Sequence, residues 1–302
     1  MEKLKLGNFD LCKIVESVSP AFELNFLLPD ADTDTVEANR SWLYPNYIDP
    51  KTDILMISFH SYLLRTGKYT ILIDSCVGNH KDRPAFPEMH NLNTDYLQKL
   101  KTAGVSPDEI DFVMCTHMHP DHVGWNTQLE DGLWVPTFPN ARYLFGKTEY
   151  DSWLHYHKEI AGTEADSIPE VASSSLRLSF EDSVLPVIAA GQAEMIEGGF
   201  ELEDGVSVED AAGHSPGNFI FKLESAGSRA TVSGDVLHHP LQLVRPDWSS
   251  GFCSDPQLSA VTRRRVLEET ASSGAILMPA HFPTPSWGQI EASDDGFRLI
   301  TQ

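Results

Sequence analysis

Hydrophobic positions near the start of the chain recur at short intervals: Leu4, Leu6, Phe9, Leu11 and Ile14, then Phe22, Leu24, Phe26 and Leu28. Spacing close to two predicts short strands joined through Ser19-Pro20. Residues 29–50 change character, acidic first and then aromatic from Trp42 to Tyr47, which suits an ordered loop serving as a pocket wall, a lid or a dimer contact. Two apolar runs, 54–65 and 68–73, flank Thr66-Gly67 in the pattern of a hairpin. A helix is expected over 95–103, closed by Gly104, and a buried strand over 110–114. Next come a strand over 141–145 and a helix over 147–157, with Tyr150, Trp153 and Leu154 on one face and His155 and His157 toward solvent. The polar segment 158–178 reads as a surface crossing, after which Ser179 to Asp182 would cap a helix running toward Ala190. Strands return at 206–211, 219–223 and 230–232. A helix over 255–269, with Arg263, Arg264 and Arg265 on its solvated face, precedes a last inner strand at 275–278. Alternating strand and helix blocks place the chain in the α/β class. One domain over 1–302 is expected, with an N-terminal extension or loop over about 1–50.

Composition narrows the function. The chain has 302 residues, of which 41% are apolar, enough for a substantial core. Acidic residues number 44 against 22 basic, a net charge of −22, which argues against nucleic-acid and anionic-membrane partners and leaves a small molecule as the expected one. No long apolar leader or membrane-length run is present, so a cytoplasmic protein is expected. Cys12, Cys76, Cys115 and Cys253 form no Cys-X-X-Cys pair, and buried free thiols are the default.

The chemistry concentrates in Cys115-Thr116-His117-Met118-His119-Pro120-Asp121-His122-Val123-Gly124, directly after the 110–114 strand. Imidazole and carboxylate are donors that borderline divalent cations prefer, and a loop leaving a strand end can aim several at one point. His117 and His119, two apart, share one side of an extended segment. Asp121 and His122 follow as the chain turns into a helix and can face a second point, so two metals fit the spacing. A structural metal clip is the poorer explanation, because such a site is closed by four ligands, often cysteines.

The His-Met-His-Pro-Asp-His run resembles the His-X-His-X-Asp-His signature of the metallo-β-lactamase superfamily. In family order, Ile71-Leu72-Ile73-Asp74 resembles the strand ending in Asp, Gly213-His214-Ser215-Pro216-Gly217 the third-histidine motif, Ser233-Gly234-Asp235 the bridging aspartate and Pro279-Ala280-His281-Phe282 the last histidine. The resemblance implies an αβ/βα four-layer sandwich with ligands on loops at one edge. It also implies two divalent cations, one on His117, His119 and His214 and the other on Asp121, His122 and His281, bridged by Asp235. Zinc is the expected ion, with iron, manganese or cobalt compatible with the same donors. A bridging water whose pKa falls from about 15.7 toward about 7 would supply hydroxide, with Asp121 or a neighbouring acid managing the proton. Asp74 is expected to hydrogen-bond around the metal loop.

The implied activity is hydrolysis of a small ester, lactone or organophosphate, with β-lactam or thioester hydrolysis as the alternative on the same site. A non-enzymatic metal-loaded sensor or interaction protein keeping the fold is the reading from another class, disfavoured by the complete ligand set. A flavin-linked diiron oxidoreductase is disfavoured by His119, where such proteins carry glutamate. Lactonases of the acyl-homoserine-lactone type carry tyrosine three residues after the bridging aspartate. This chain has His238, a departure that counts against that substrate, and His238 could instead donate to a carbonyl or leaving oxygen. Trp125 serves either as an apolar wall or as core packing. A homodimer is compatible with the 42–47 aromatics.

Overall fold

The longest apolar runs become strands of two sheets. The computed structural model describes residues 1–160, 162–163, 170–293 and 296–301. The chain divides into two compact units: Met1–Ser17 with Phe59–Glu197, and Val18–Ser58 with Gly198–Gln302.

Most of one seven-stranded sheet lies in the first unit. Its strands are β1 (Lys3–Leu6), β2 (Phe9–Phe22), β3 (Leu55–Arg65), β4 (Thr70–Ile73) and β5 (Phe112–Met114), and, beyond a separate hairpin of β6 (Thr127–Glu130) and β7 (Leu133–Pro136), β8 (Arg142–Gly146) and β9 (Ala193–Ile196). Their order is β1-β2-β3-β4-β5-β8-β9. β3 and β4 form the expected hairpin, Tyr62 opposite Ile73 and Arg65 opposite Thr70, whereas β4, β5 and β8 run parallel. A parallel strand is buried on both faces, which is why Val113 and Met114 are buried. Tyr150, Trp153 and Leu154 pack on the core of this unit, as their shared helical face requires.

The second unit carries β10 (Glu201–Glu203), β11 (Val206–Asp210), β12 (Phe219–Ser225), β13 (Ser228–Gly234), β14 (Ile276–Pro279), β15 (Gly288–Ser293) and β16 (Gly296–Ile300), hydrogen-bonded in chain order. Only β13 and β14 are parallel. The helix Pro256–Ser273, capped by the Asp255 carboxylate on the Leu258 N–H, supplies the crossover between them.

Several expectations need correction. β2 continues through Ser19-Pro20, because β1 reaches only to the Lys3–Cys12 pair and the missing proline N–H costs no bond to it. Residues 29–50 hold two short helices, Thr33–Ala38 and Arg40–Leu43, too brief to imprint a helical period. Asp131-Gly132, both at positive φ, close the β6–β7 hairpin, which the sequence reading passed over. Ser179 ends the helix Glu170–Ser179 and leads into a π-turn, Phe180–Val184, rather than capping a new helix. The expected crossing at 158–178 lies partly outside the described residues. His157 is not solvated: its ring packs against Phe180 at 5.5 Å.

Arg263 overturns the solvated-arginine reading. The buried positions of its helix are Ser259, Thr262, Arg263, Val266, Leu267 and Thr270. At about 100° per residue Arg263 falls inside the stripe these positions make, whereas Arg264 and Arg265 fall outside it.

Candidate metal centre

In the first unit the metal loop is laced to the segment after β4. Asp74, held at φ 57°, accepts the Thr116 backbone N–H on Oδ1 at 2.7 Å and faces His122 Nδ1 with Oδ2 at 2.9 Å. Ser75 N–H donates to the His122 carbonyl at 2.8 Å, and the Gly124 and Trp125 N–H groups return bonds to the Cys76 and Ser75 carbonyls at 2.8 Å each. Gly124 is required here, since a Cβ would lie 1.7 Å from the Val77 carbonyl oxygen. Pro120 opens the four-residue helix Pro120–Val123, which carries Asp121 and His122.

The imidazoles crowd together. Ring centroids of His117 and His119 are 4.6 Å apart, those of His117 and His122 4.1 Å. Ligating atoms of His117 and His119 lie within 4.8 Å of each other, as do those of Asp121 and His122. Trp153 stands edge-on to His119 at 5.6 Å, and its Nε1–H donates to the buried Glu149, which also accepts the Met118 N–H.

In the second unit the candidate ligands surround Asp235, which follows Gly234 at φ 50° at the end of β13. His281 Nε2 lies 2.9 Å from Asp235 Oδ1, and His214 Nε2 and His238 Nε2 each lie 3.3 Å from Oδ2. All four side chains are buried. Burial pushes the His238 imidazole below its ordinary pKa, against the opposing pull of the Asp235 carboxylate.

Each of four histidines has its Nδ1 engaged by another group. His117 Nδ1 is 3.0 Å from Thr116 Oγ1, His122 Nδ1 2.9 Å from Asp74, His214 Nδ1 3.7 Å from Cys253 Sγ and His281 Nδ1 3.3 Å from the Ser58 carbonyl. Occupying Nδ1 fixes the ring and leaves Nε2 as the coordinating atom, the arrangement that metal-bound imidazoles require. Imidazoles packed at such spacing around carboxylates suit a divalent cation. The residues present therefore fit the metals.

Other expected pocket residues land differently. Trp125 is core: its Nε1–H donates to buried Glu16 at 2.7 Å and its ring stacks on Tyr96 at 5.4 Å. Trp42 is partly exposed, while Tyr47 is buried, its hydroxyl on the Pro285 carbonyl at 2.7 Å. Glu16, Glu149, Cys253 and Arg263 were not singled out as supports. Only Glu16, a charge inside an apolar strand, carried any local signal.

The sequence model of the Metallo-beta-lactamase superfamily matches residues 60–281. The N-acyl homoserine lactonase AiiA of Bacillus thuringiensis subsp. kurstaki is 23% identical over 243 residues, covering 76% of this chain and 82% of that protein. The N-acyl homoserine lactonase AiiB of Agrobacterium fabrum is 27% identical over 138 residues, 41% of this chain and 46% of that one. Among solved structures, the hydrolase AbOPH of the beta lactamase superfamily is similar with a TM-score of 0.80 at 24% identity, covering 99% of this chain and 96% of that one. AidC, a dizinc quorum-quenching lactonase in complex with a product, gives 0.78 at 21%, with 100% and 97% covered. At these identities the structural likeness fixes the fold, a mixed α/β arrangement of the metallo-β-lactamase kind. With the sequence model spanning most of the length, the chain belongs to the metallo-β-lactamase superfamily.

Proposed function

We propose that this protein is a dinuclear metal-dependent hydrolase of a small lactone or ester. His117, His119 and His214 would hold one ion and Asp121, His122 and His281 the other, with the Asp235 carboxylate shared between them. The observation that carries this reading is the engagement of Nδ1 in His117, His122, His214 and His281, which leaves Nε2 for coordination. When bound, the two ions supply hydroxide at neutral pH and polarise the scissile carbonyl.

The chain's own residues do the rest. Asp74 and Thr116 keep the His117–His122 loop in register, and Asp121 is placed to take up a proton. His238, neutral and buried beside Asp235, donates a hydrogen bond to a substrate carbonyl or to the departing oxygen. A lactone is the first substrate to test, because the relatives are named as N-acyl homoserine lactonases; His238, where the resemblance leads one to expect tyrosine, favours a different ring or acyl group. Zinc as the native ion, a homodimer and a cytoplasmic location belong to the same proposal. Supporting the last, the four cysteines are free.

The test combines elemental analysis with a panel of N-acyl homoserine lactones, other lactones, aryl esters, phosphotriesters and β-lactams. Two metals per chain and fastest turnover within the lactones and esters are expected. Full activity in metal-stripped protein would end the mechanism, and Asp235→Ala should lose at least one ion and most turnover.

A further inference from the structure

Arg263 is fully buried, and its guanidinium donates to neutral oxygens: Nε to the Val236 carbonyl at 2.7 Å, Nη1 to the Pro246 and Trp248 carbonyls at 2.8 and 2.9 Å, and Nη2 to Ser259 Oγ at 2.9 Å. A buried cation is costly to desolvate, and an apolar side chain of similar volume would fill the space with less penalty. What those bonds hold is therefore informative.

One arm reaches the carbonyl of the residue after Asp235. The other begins a relay. Ser259 Oγ, accepting from Arg263, is also 3.3 Å from Cys253 Sγ, and that sulfur is 3.7 Å from His214 Nδ1. Arg263 donates to Ser259 Oγ, the Cys253 S–H donates to the same oxygen, and the sulfur is placed to accept the His214 Nδ1–H. The proton is then on Nδ1 and the lone pair on Nε2. The backbone enforces the approach. A Cβ on Gly213 would lie 2.4 Å from the Ser259 nitrogen, Thr262 Oγ1 donates to the Ala212 carbonyl at 2.7 Å, and the Ser254 N–H donates to the His214 carbonyl at 2.8 Å.

We propose that Arg263 is a positioning residue for two metal ligands, acting on Asp235 through the Val236 carbonyl and on His214 through Ser259 and Cys253, and that Cys253 sets the affinity of the ion His214 holds. The proposal rests on the dinuclear reading above. It implies unequal ions, because His122 leans on a carboxylate whereas His214 leans on a neutral thiol, which raises ring basicity less.

The test is zinc release from full-length holoprotein titrated with a competing chelator, giving two dissociation constants, alongside the Tm of each variant without metal. Cys253→Ala and Ser259→Ala should each weaken one constant by about 10- to 100-fold and leave the other and the metal-free Tm near parent values. Cys253→Ser should restore part of the loss. Unchanged constants in both alanine variants overturn the relay, as does a parallel fall of both constants with Tm, the mark of a merely structural role. Arg263→Lys keeps the charge but not the fork, and should weaken both constants. A parent protein that binds no zinc overturns the dinuclear reading itself, a result distinct from either outcome for the relay.

Discussion

Asp74 Oδ2 stands 2.9 Å from His122 Nδ1 while Oδ1 of the same carboxylate accepts the Thr116 N–H at 2.7 Å. One side chain thus orients the His122 ring and pins the loop that carries it, from the end of the neighbouring strand β4. Asp74→Ala should weaken metal retention by about 10- to 100-fold, with Asp74→Asn intermediate, as read by chelator competition. Parent-like retention in the alanine variant would mean that the carboxylate only shapes the turn.

Gly124 bears on stability as well as on the site. A methyl group there would meet the Val77 carbonyl oxygen at 1.7 Å and the Cys76 carbonyl oxygen at 2.7 Å, both backbone atoms that cannot swing aside. Gly124→Ala should therefore cost about 1–3 kcal/mol, the range for overpacking, and loosen His122, whose carbonyl the same strap binds. Urea unfolding of the metal-free variant measures the first effect and zinc retention the second. A variant as stable as the parent would place the 75–77 strap among segments that yield.

The motifs of the candidate ligands were legible because each is local: a strand, a tight turn and a donor within a few residues, as at Val113 to His122 or Val232 to Asp235. What supports them was not, because the partners are far apart in sequence. Cys253 meets His214 across 39 positions, and the Ser58 carbonyl meets His281 across 223. Trp125 illustrates the same limit. Its position beside the signature offered a pocket wall or a core ring, and only the acceptor on Glu16, 109 positions away, decides for the core. Arg263 misled for another reason: composition marks arginine as surface, and only the helical phase of Ser259, Val266 and Thr270 turns it inward.

His239 gives the fold an acid sensitivity of known sign. It is fully buried, with Nε2 on the Tyr47 carbonyl at 2.9 Å and Nδ1 accepting the Leu241 N–H at 3.3 Å, so a second ring proton would break a bond. Burial pushes its pKa from 6.5 down to about 4, with the Tyr47 carbonyl opposing. Between pH 6.5 and 4 the unfolded chain binds the extra proton and the folded chain does not, so this stabilisation is present above pH 6.5 and is lost as pH falls toward 4. His239→Gln cannot titrate. Tm measured against pH should show the gap between parent and variant narrowing on acidification, and a gap constant from pH 7 to 4.5 would contradict the assignment.

His238 separates a hydrogen-bond donor to substrate from one more metal ligand. Its Nε2 is 3.3 Å from Asp235 Oδ2, and its ring lies nearly parallel to that of His281 at 5.9 Å and tilted to that of His214 at 4.7 Å. Its backbone is fixed from the other side, where the His238 N–H donates to Gln242 Oε1 at 2.7 Å. The backbone that carries the ring is therefore held without help from a metal. Removing one such donor costs about 100-fold in kcat, so His238→Ala should retain both ions by elemental analysis, hold KM near the parent value and lose kcat by that order. His238→Gln, which keeps an N–H, should recover part of it. Loss of an ion in His238→Ala would make His238 a ligand instead, and parent-like turnover of the best lactone or ester would remove it from the chemistry.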